Sequence, residues 1–158
     1  MPPTRIILDT DPGADDALAI LLMLASPEIQ LEALTTVHGN VTIDKTTRNA
    51  LALLEFLNAK NIPVAQGCSL PLVKPPHQAQ GEVVHGSSGM GRTKLPEPTL
   101  KPIVTHAVDY LIERFLAEPK ELTLFAVGPL TNVALAIRKE PKFAQAISSS
   151  CGNAGGGG

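Results

Sequence analysis

Short apolar runs alternate along this chain with stretches whose apolar positions recur at helical spacing. Arg5-Ile6-Ile7-Leu8 predicts a buried strand, cut off by Asp-Thr-Asp-Pro-Gly, and residues 15–25, rich in straight-chain helix formers with two acids in the first turn, predict a helix. Ser26-Pro27 stops that helix, and residues 29–37 hold enough alternating apolar and β-branched positions for a second strand, turned at Gly39-Asn40. Residues 43–59 predict an amphipathic helix through Ala50, Leu51, Leu54 and Leu57, and residues 62–65 a short buried strand. Periodicity is then lost from Gly67 to Pro98, and a loop of that length in a compact domain is usually functional or mobile. Residues 100–117 predict a helix through Ile103, Ala107, Leu111 and Phe115; residues 122–127 predict a strand, and Gly128-Pro129-Leu130-Thr131-Asn132 leads into a helix over 133–139.

Strands alternating with helices predict an α/β fold, an open and mostly parallel sheet built from right-handed βαβ units with helices on both faces. Ligands should gather at the carboxyl ends of the strands. The polar clusters at 9–16, 38–40 and 128–132 each follow a predicted strand directly. At 158 residues, 44% hydrophobic and 18% charged, the chain suits one domain or part of one. The formal net charge of -2 supplies no basic field for nucleic acid or anionic lipid, so small neutral or cationic partners are expected. Cys68 and Cys151 form no metal-type spacing, the run from Ala17 to Ala25 is shorter than the roughly 20 residues that span a bilayer, and the basic start amounts to Arg5 alone. A soluble, cytoplasmic protein is the resulting expectation.

Asp9, Asp11, Asp15 and Asp16 place four carboxylates within eight residues at the end of a buried strand, where their repulsion is weakly screened. A positive charge belongs among them, and a hard, oxygen-seeking cation such as Ca²⁺ or Mg²⁺ answers that need. Pro12-Gly13 supplies a tight turn that lets carboxylates converge from both sides. The plainer reading has Asp15 and Asp16 capping the helix while Asp9 and Asp11 accept neighbouring backbone N–H groups; it accounts for one or two of them better than for all four. An EF-hand loop would need its glycine one place further on and a glutamate where Ile20 stands. A haloacid-dehalogenase-type phosphatase also begins strand-Asp-x-Asp, but with Thr or Val where this chain has Gly13, and its later Gly-Asp pair is missing; it stands as an alternative.

With these residues in place, Asp9-Thr10-Asp11-Pro12-Gly13-Ala14-Asp15-Asp16-Ala17 closely resembles the signature of the inosine-uridine-preferring nucleoside hydrolase family. The resemblance continues through Thr35-Thr36-Val37-His38-Gly39-Asn40, Thr47-Arg48-Asn49-Ala50, His85-Gly86-Ser87-Ser88-Gly89-Met90-Gly91 and Gly128-Pro129-Leu130-Thr131-Asn132, in order and spacing from about residue 5 to about residue 140. It implies that residues 1–147 are the N-terminal part of a single α/β domain of that family, and that the activity is calcium-dependent hydrolysis of the N-glycosidic bond of ribonucleosides to ribose and free base. By the same likeness Asp11 and Asp16 would coordinate Ca²⁺, Thr131 would add its backbone carbonyl, and Asp11 would take a proton from the attacking water. Asp15 and Asn40 would hold ribose hydroxyls, Asp9 would orient the loop from behind, and His85 would approach the base or its leaving nitrogen. Breaking this bond puts positive charge on the sugar and negative charge on the base, so carboxylates near the one and a proton donor near the other are what the chemistry requires. The family's dimers and tetramers make a homo-oligomer an expectation too.

Other residues have plainer readings. His85 lies in a glycine-rich stretch where a histidine can simply be exposed, His38 can be a satisfied half-buried ring, and His77 and His106 read as surface positions. Asn40 suits a left-handed turn, Thr131-Asn132 a helix start, and Arg48 an ion pair on its own helix or a neighbouring loop. After Ile147 the likeness weakens: the family would run into another buried strand, whereas Ser148-Ser149-Ser150-Cys151 makes a poor central strand and 148–158 reads as a divergent Ser/Gly-rich tail. The family places a further metal-binding aspartate and a histidine beyond residue 158, so impaired activity, or a non-catalytic metal- or nucleoside-binding fragment, is the alternative expectation.

Overall fold

The computed structural model describes residues 2–73, 88–147 and 149–152. Among these, β1 (Thr4–Thr10), α1 (Ala14–Ala25), β2 (Ile29–Thr36), α2 (Ile43–Phe56) and β3 (Val64–Gln66) are followed by α3 (Ala107–Ala117), β4 (Thr123–Ala126), α4 (Thr131–Lys139), α5 (Lys142–Ala146) and β5 (Ser149–Gly152). All paired strands are parallel and the sheet order is β3-β2-β1-β4-β5. The chain therefore winds one way from β1 to β3 and the other way from β4 to β5. Between β1 and β4 lies the switch point, where the loops leaving adjacent strands part and open a crevice.

Alternation along the strands divides the core in two. Ile7, Ala33 and Leu124 pack with Leu111, Phe115, Ala136 and Phe143 from α3, α4 and α5 on one face, where Phe115 meets Phe143 edge-on at 5.4 Å between ring centroids. Leu8, Leu34 and Val64 pack with Ile20, Met23, Leu51 and Leu54 from α1 and α2 on the other. Helices on both faces are thus as the sequence pattern predicts. A register shift between Ile6 and Ile7 leaves Glu32 outside the β1–β2 ladder, so Leu31 and Ala33 face opposite sides despite their spacing of two.

Three expectations need correction. The helix over 100–117 begins at Ala107: Ile103 instead bridges Ala65 in parallel, donating its N–H to Val64 O, and the His106 ring accepts the Val108 N–H as the helix cap. The α2 helix stops at Phe56 rather than residue 59 because Asn58 turns into the left-handed region at φ 56°, while Ala59 N–H returns to Leu54 O at 2.8 Å. Ser149–Gly152 does form a strand, pairing Thr123 through Ala126 of β4 residue for residue. Backbone pairing along an existing strand edge outweighs the weak strand preference of serine.

Candidate functional site

The crevice is built from three loops, each leaving the carboxyl end of a strand. After β1, Thr10 runs into Asp11-Pro12-Gly13 and α1 begins. There Asp16 turns back on the loop, accepting the Thr10 hydroxyl at 2.6 Å and the Gly13 N–H at 3.0 Å. After β2, Asn40 clasps the same loop: its backbone N–H donates to Asp11 Oδ2 at 2.7 Å, and its side-chain amide donates to the Asp11 carbonyl at 3.0 Å and to Asp16 Oδ2 at 3.4 Å. After β4, Gly128 lies so close that a Cβ there would sit 2.8 Å from Asp11 Oδ1. A side chain on Gly39 would overlap the Asp11 carboxylate outright. Glycine is required at both positions because two backbones and a carboxylate share the space a methyl group would need.

Behind this loop Asp9 is fully buried, with Oδ1 accepting the Thr35 hydroxyl at 2.5 Å and the Asn132 amide at 2.8 Å. The same amide donates to Thr36 O at 2.9 Å, and Asn132 Oδ1 accepts the Cys68 N–H at 2.9 Å. One side chain at the start of α4 thereby ties the ends of β1, β2 and β3 together. Asp9 Oδ2 is buried with no hydrogen-bond partner, an unsatisfied acceptor of the kind that concentrates at functional sites.

The electrostatics follow from burial. Burial, and then the charge of Asp16, push the Asp11 carboxyl up to about 8, against the Asn40 N–H that draws it down. Burial likewise pushes Asp9 up to about 6, opposed by its hydrogen bonds from Asn132 and Thr35. Burial, with Asp9 adding to it, raises the Cys68 thiol, and burial lowers the His38 imidazole. The crevice is therefore a place where negative charge is costly and a cation would be welcome.

Of the residues singled out from sequence, Asp11, Asp16 and Asn40 meet in one hydrogen-bonded assembly, and Asp9 lies behind it in a separate network with Thr35 and Asn132. Thr131 is buried beside it as the first residue of α4, its hydroxyl 3.4 Å from His38 Nε2. Asp15 lies exposed on the first turn of α1, its charge still opposing ionisation of Asp11. His85 lies outside the described residues. Among the described residues no three His, Cys, Asp or Glu side chains gather to hold a metal, so a cation here would rest on Asp11 and Asp16 with backbone, water or ligand oxygens completing its shell. That donor set, all hard oxygen, fits a Ca²⁺-like ion.

Asn132 and Asn49 stand in motifs quoted from the sequence but carry no site role there beyond a helix start for Asn132. Asn49 donates to both Pro12 O at 3.1 Å and Ser88 O at 2.8 Å, and the signal for either, besides the motif, is an amide at a helical position that the apolar stripe would otherwise fill. No helix among the described residues is long and apolar enough to cross a membrane.

A family model described as inosine-uridine preferring nucleoside hydrolase matches residues 6–157. The non-specific ribonucleoside hydrolase RihC of Escherichia fergusonii is 48% identical over 137 residues, covering 87% of this chain and 44% of that protein. Uridine nucleosidase 1 of Arabidopsis thaliana is 43% identical over 143 residues, covering 90% and 42% respectively. Among solved structures, the plant nucleoside hydrolase PpNRh1 superposes with a TM-score of 0.91 at 44% identity over 96% of this chain and 48% of its own. A purine-preferring ribonucleoside hydrolase from Gardnerella vaginalis gives 0.89 at 33% identity, over 94% and 48%. The chain spans about half the length of the curated relatives it matches. These matches displace the phosphatase alternative, and with an acidic crevice at the switch point of a parallel sheet they establish that the chain belongs to the inosine-uridine preferring nucleoside hydrolase family.

Proposed function

We propose that this chain carries the cation- and ribose-binding half of a site that hydrolyses the N-glycosidic bond of ribonucleosides with the help of Ca²⁺. The observation that carries the reading is the Asp11 carboxylate, buried against Asp16 and clasped by Asn40 between two glycine-lined loops. Asp11 and Asp16, with the backbone carbonyl of Thr131, would hold the ion. When bound, Ca²⁺ supplies a positive charge that favours deprotonation of water and fixes the sugar hydroxyls. Asp11, its carboxylate fixed by the Asn40 N–H beside Asp16, would accept the proton that water loses as it attacks the anomeric carbon. Asn40 keeps Asp11 and Asp16 in register and, with Asp15, would receive the ribose hydroxyls. Asp9 positions the loop from beneath through Asn132 and Thr35. His85 would serve the departing base, whose developing negative charge needs a proton donor.

A second reading is metal or nucleoside binding without turnover, favoured by a carboxylate set that among the described residues amounts to Asp11 and Asp16. Two measurements decide. Calorimetric titration of the purified chain with Ca²⁺ should give saturable binding that Asp11→Asn removes, and a base-release assay on inosine and uridine should show turnover abolished by chelator. Binding without turnover selects the second reading, and a folded chain that binds no Ca²⁺ defeats the first and leaves the second only as nucleoside binding.

A further inference from the structure

We propose that a second cavity, on the far side of Asn49 from the acidic crevice, binds a phosphate-bearing small molecule. It has a volume of about 860 Å³ and two walls. Lys45 and Arg48, one turn apart on α2, form one wall, and Arg92 and Lys94 on the segment after Ser88 form the other. No acidic side chain is among the described lining residues, in a chain whose formal net charge is -2. The described lining is therefore cationic. Glu97 reaches Arg48 at 2.7 Å from outside the lining, but it is 76% exposed, so water already screens that pair and an anion can compete for the guanidinium.

The second wall is held in place by the core. Met90 is buried against the α1–α2 face, Ser88 Oγ accepts the Met90 N–H at 3.2 Å, and Thr93 N–H donates to Met90 O at 3.0 Å. Gly89 and Gly91 take positive φ of 80° and 60°, the second with open space where a side chain would stand. Two guanidinium and two ammonium groups lining one cavity suit a phosphate dianion, whose second charge and third oxygen can use more cations than a carboxylate can. The volume exceeds what one phosphate fills and lies within the roughly 300–1,000 Å³ of ligand pockets, with Met90 and Leu95 offering apolar surface to an organic portion. Asn49 joins the two sites, since its amide holds Pro12 O of the acidic loop and Ser88 O of this wall.

The test is calorimetric titration of the whole chain, with chelator present so that the acidic crevice is not involved. Inorganic phosphate, ribose 5-phosphate, uridine 5′-monophosphate and uridine serve as probes. Saturable binding of a phosphate-bearing probe is expected, weakened at least ten-fold in R92E/K94E and unchanged in R138E, a charge reversal on the exposed end of α4. Tighter binding of the organic phosphates than of inorganic phosphate identifies a phosphorylated metabolite as the occupant, and equal binding identifies free phosphate. The single substitution R92Q, at an exposed position, is the check should the double reversal lose its fold by circular dichroism. The proposal is overturned if no phosphate-bearing probe saturates, if uridine binds as tightly as its monophosphate, or if both R92E/K94E and R92Q bind as the parent does.

Discussion

Two charged clusters sit at opposite ends of the same strands, and they are built to opposite rules. At the amino end of the sheet Arg5 pairs with Glu32 at 2.7 Å and Glu118 at 2.6 Å, and Arg114 pairs with Glu32 at 3.2 Å and Glu118 at 3.0 Å. Two cations meet two anions, all partly exposed. At the carboxyl end Asp9, Asp11 and Asp16 are buried together, and the donors that reach them are neutral hydroxyls and amides. A balanced cluster lowers the energy of the folded chain as it stands, whereas an unbalanced one raises it until something positive arrives. Unbalanced buried charge of this kind is what candidate functional sites share, whereas balanced pairs are common in structural networks.

The sharpest way to break the comparison is to neutralise the unbalanced end. Asp11→Asn should abolish Ca²⁺ binding and lower any base release by about 10³-fold, while the metal-free chain becomes more stable at pH 8, read as a higher melting temperature. A variant that loses function and stability together would mean that Asp11 is a structural acceptor. Next in size is Asn132→Ala, which removes one hydrogen bond each from Asp9 Oδ1, Thr36 O and Cys68 N–H in the buried hub and should cost about 3 kcal/mol in urea unfolding. Because the hub sits beneath the loop, this variant should keep measurable Ca²⁺ affinity where Asp11→Asn keeps none.

The two ends should also answer pH in opposite directions. Asp9 near 6 and Asp11 near 8 both lie above the 3.8 of an unfolded aspartate, so the folded chain holds protons that the unfolded chain releases. The stability they lend the metal-free chain is complete below about pH 4 and is lost as pH rises through 6 and then 8. Glu32 and Glu118 are held below 4.5 by their arginines, chiefly through the hydrogen bonds of Arg5, so their contribution is complete above that value and fades in acid. Thermal melts with chelator should therefore show a fall in stability from pH 5 to pH 8 that saturating Ca²⁺ removes. A melting temperature that is flat over this range with chelator present would remove the case for an unbalanced cluster.

How much of this was legible in the sequence depends on how local each signal is. The acidic loop was readable because its four aspartates lie within eight residues and its glycine turn is contiguous with them. The strand-helix alternation was readable for the same reason, since apolar periodicity is written into each element. The hub around Asn132 was not, because its partners Asp9, Thr36 and Cys68 stand 123, 96 and 64 residues away and only the sheet order brings them together. The start of α3 departs from the periodicity because Ile103 satisfies a helical spacing and a bridge to Ala65 equally well, and tertiary pairing chose the bridge. Glu32 was silent altogether, since nothing in an alternating strand announces that a bulge will turn it toward two arginines.

That last residue gives the smallest effect and the control for the rest. Glu32→Gln removes one negative charge from a cluster whose arginines still have Glu118 and water within reach, so the loss should be about 1 kcal/mol and should shrink further in high salt. The bulge itself should persist, because the backbone register of β1 and β2 on either side of it is set by Leu31 and Ala33 entering opposite core faces. With the bulge intact, β1 still delivers Asp9 and Asp11 to the crevice, so Ca²⁺ affinity should match the parent within error. A marked loss of affinity in Glu32→Gln would show that the two ends of the sheet are energetically coupled along β1, and the contrast between a structural and a functional cluster would have to give way to a single charged system.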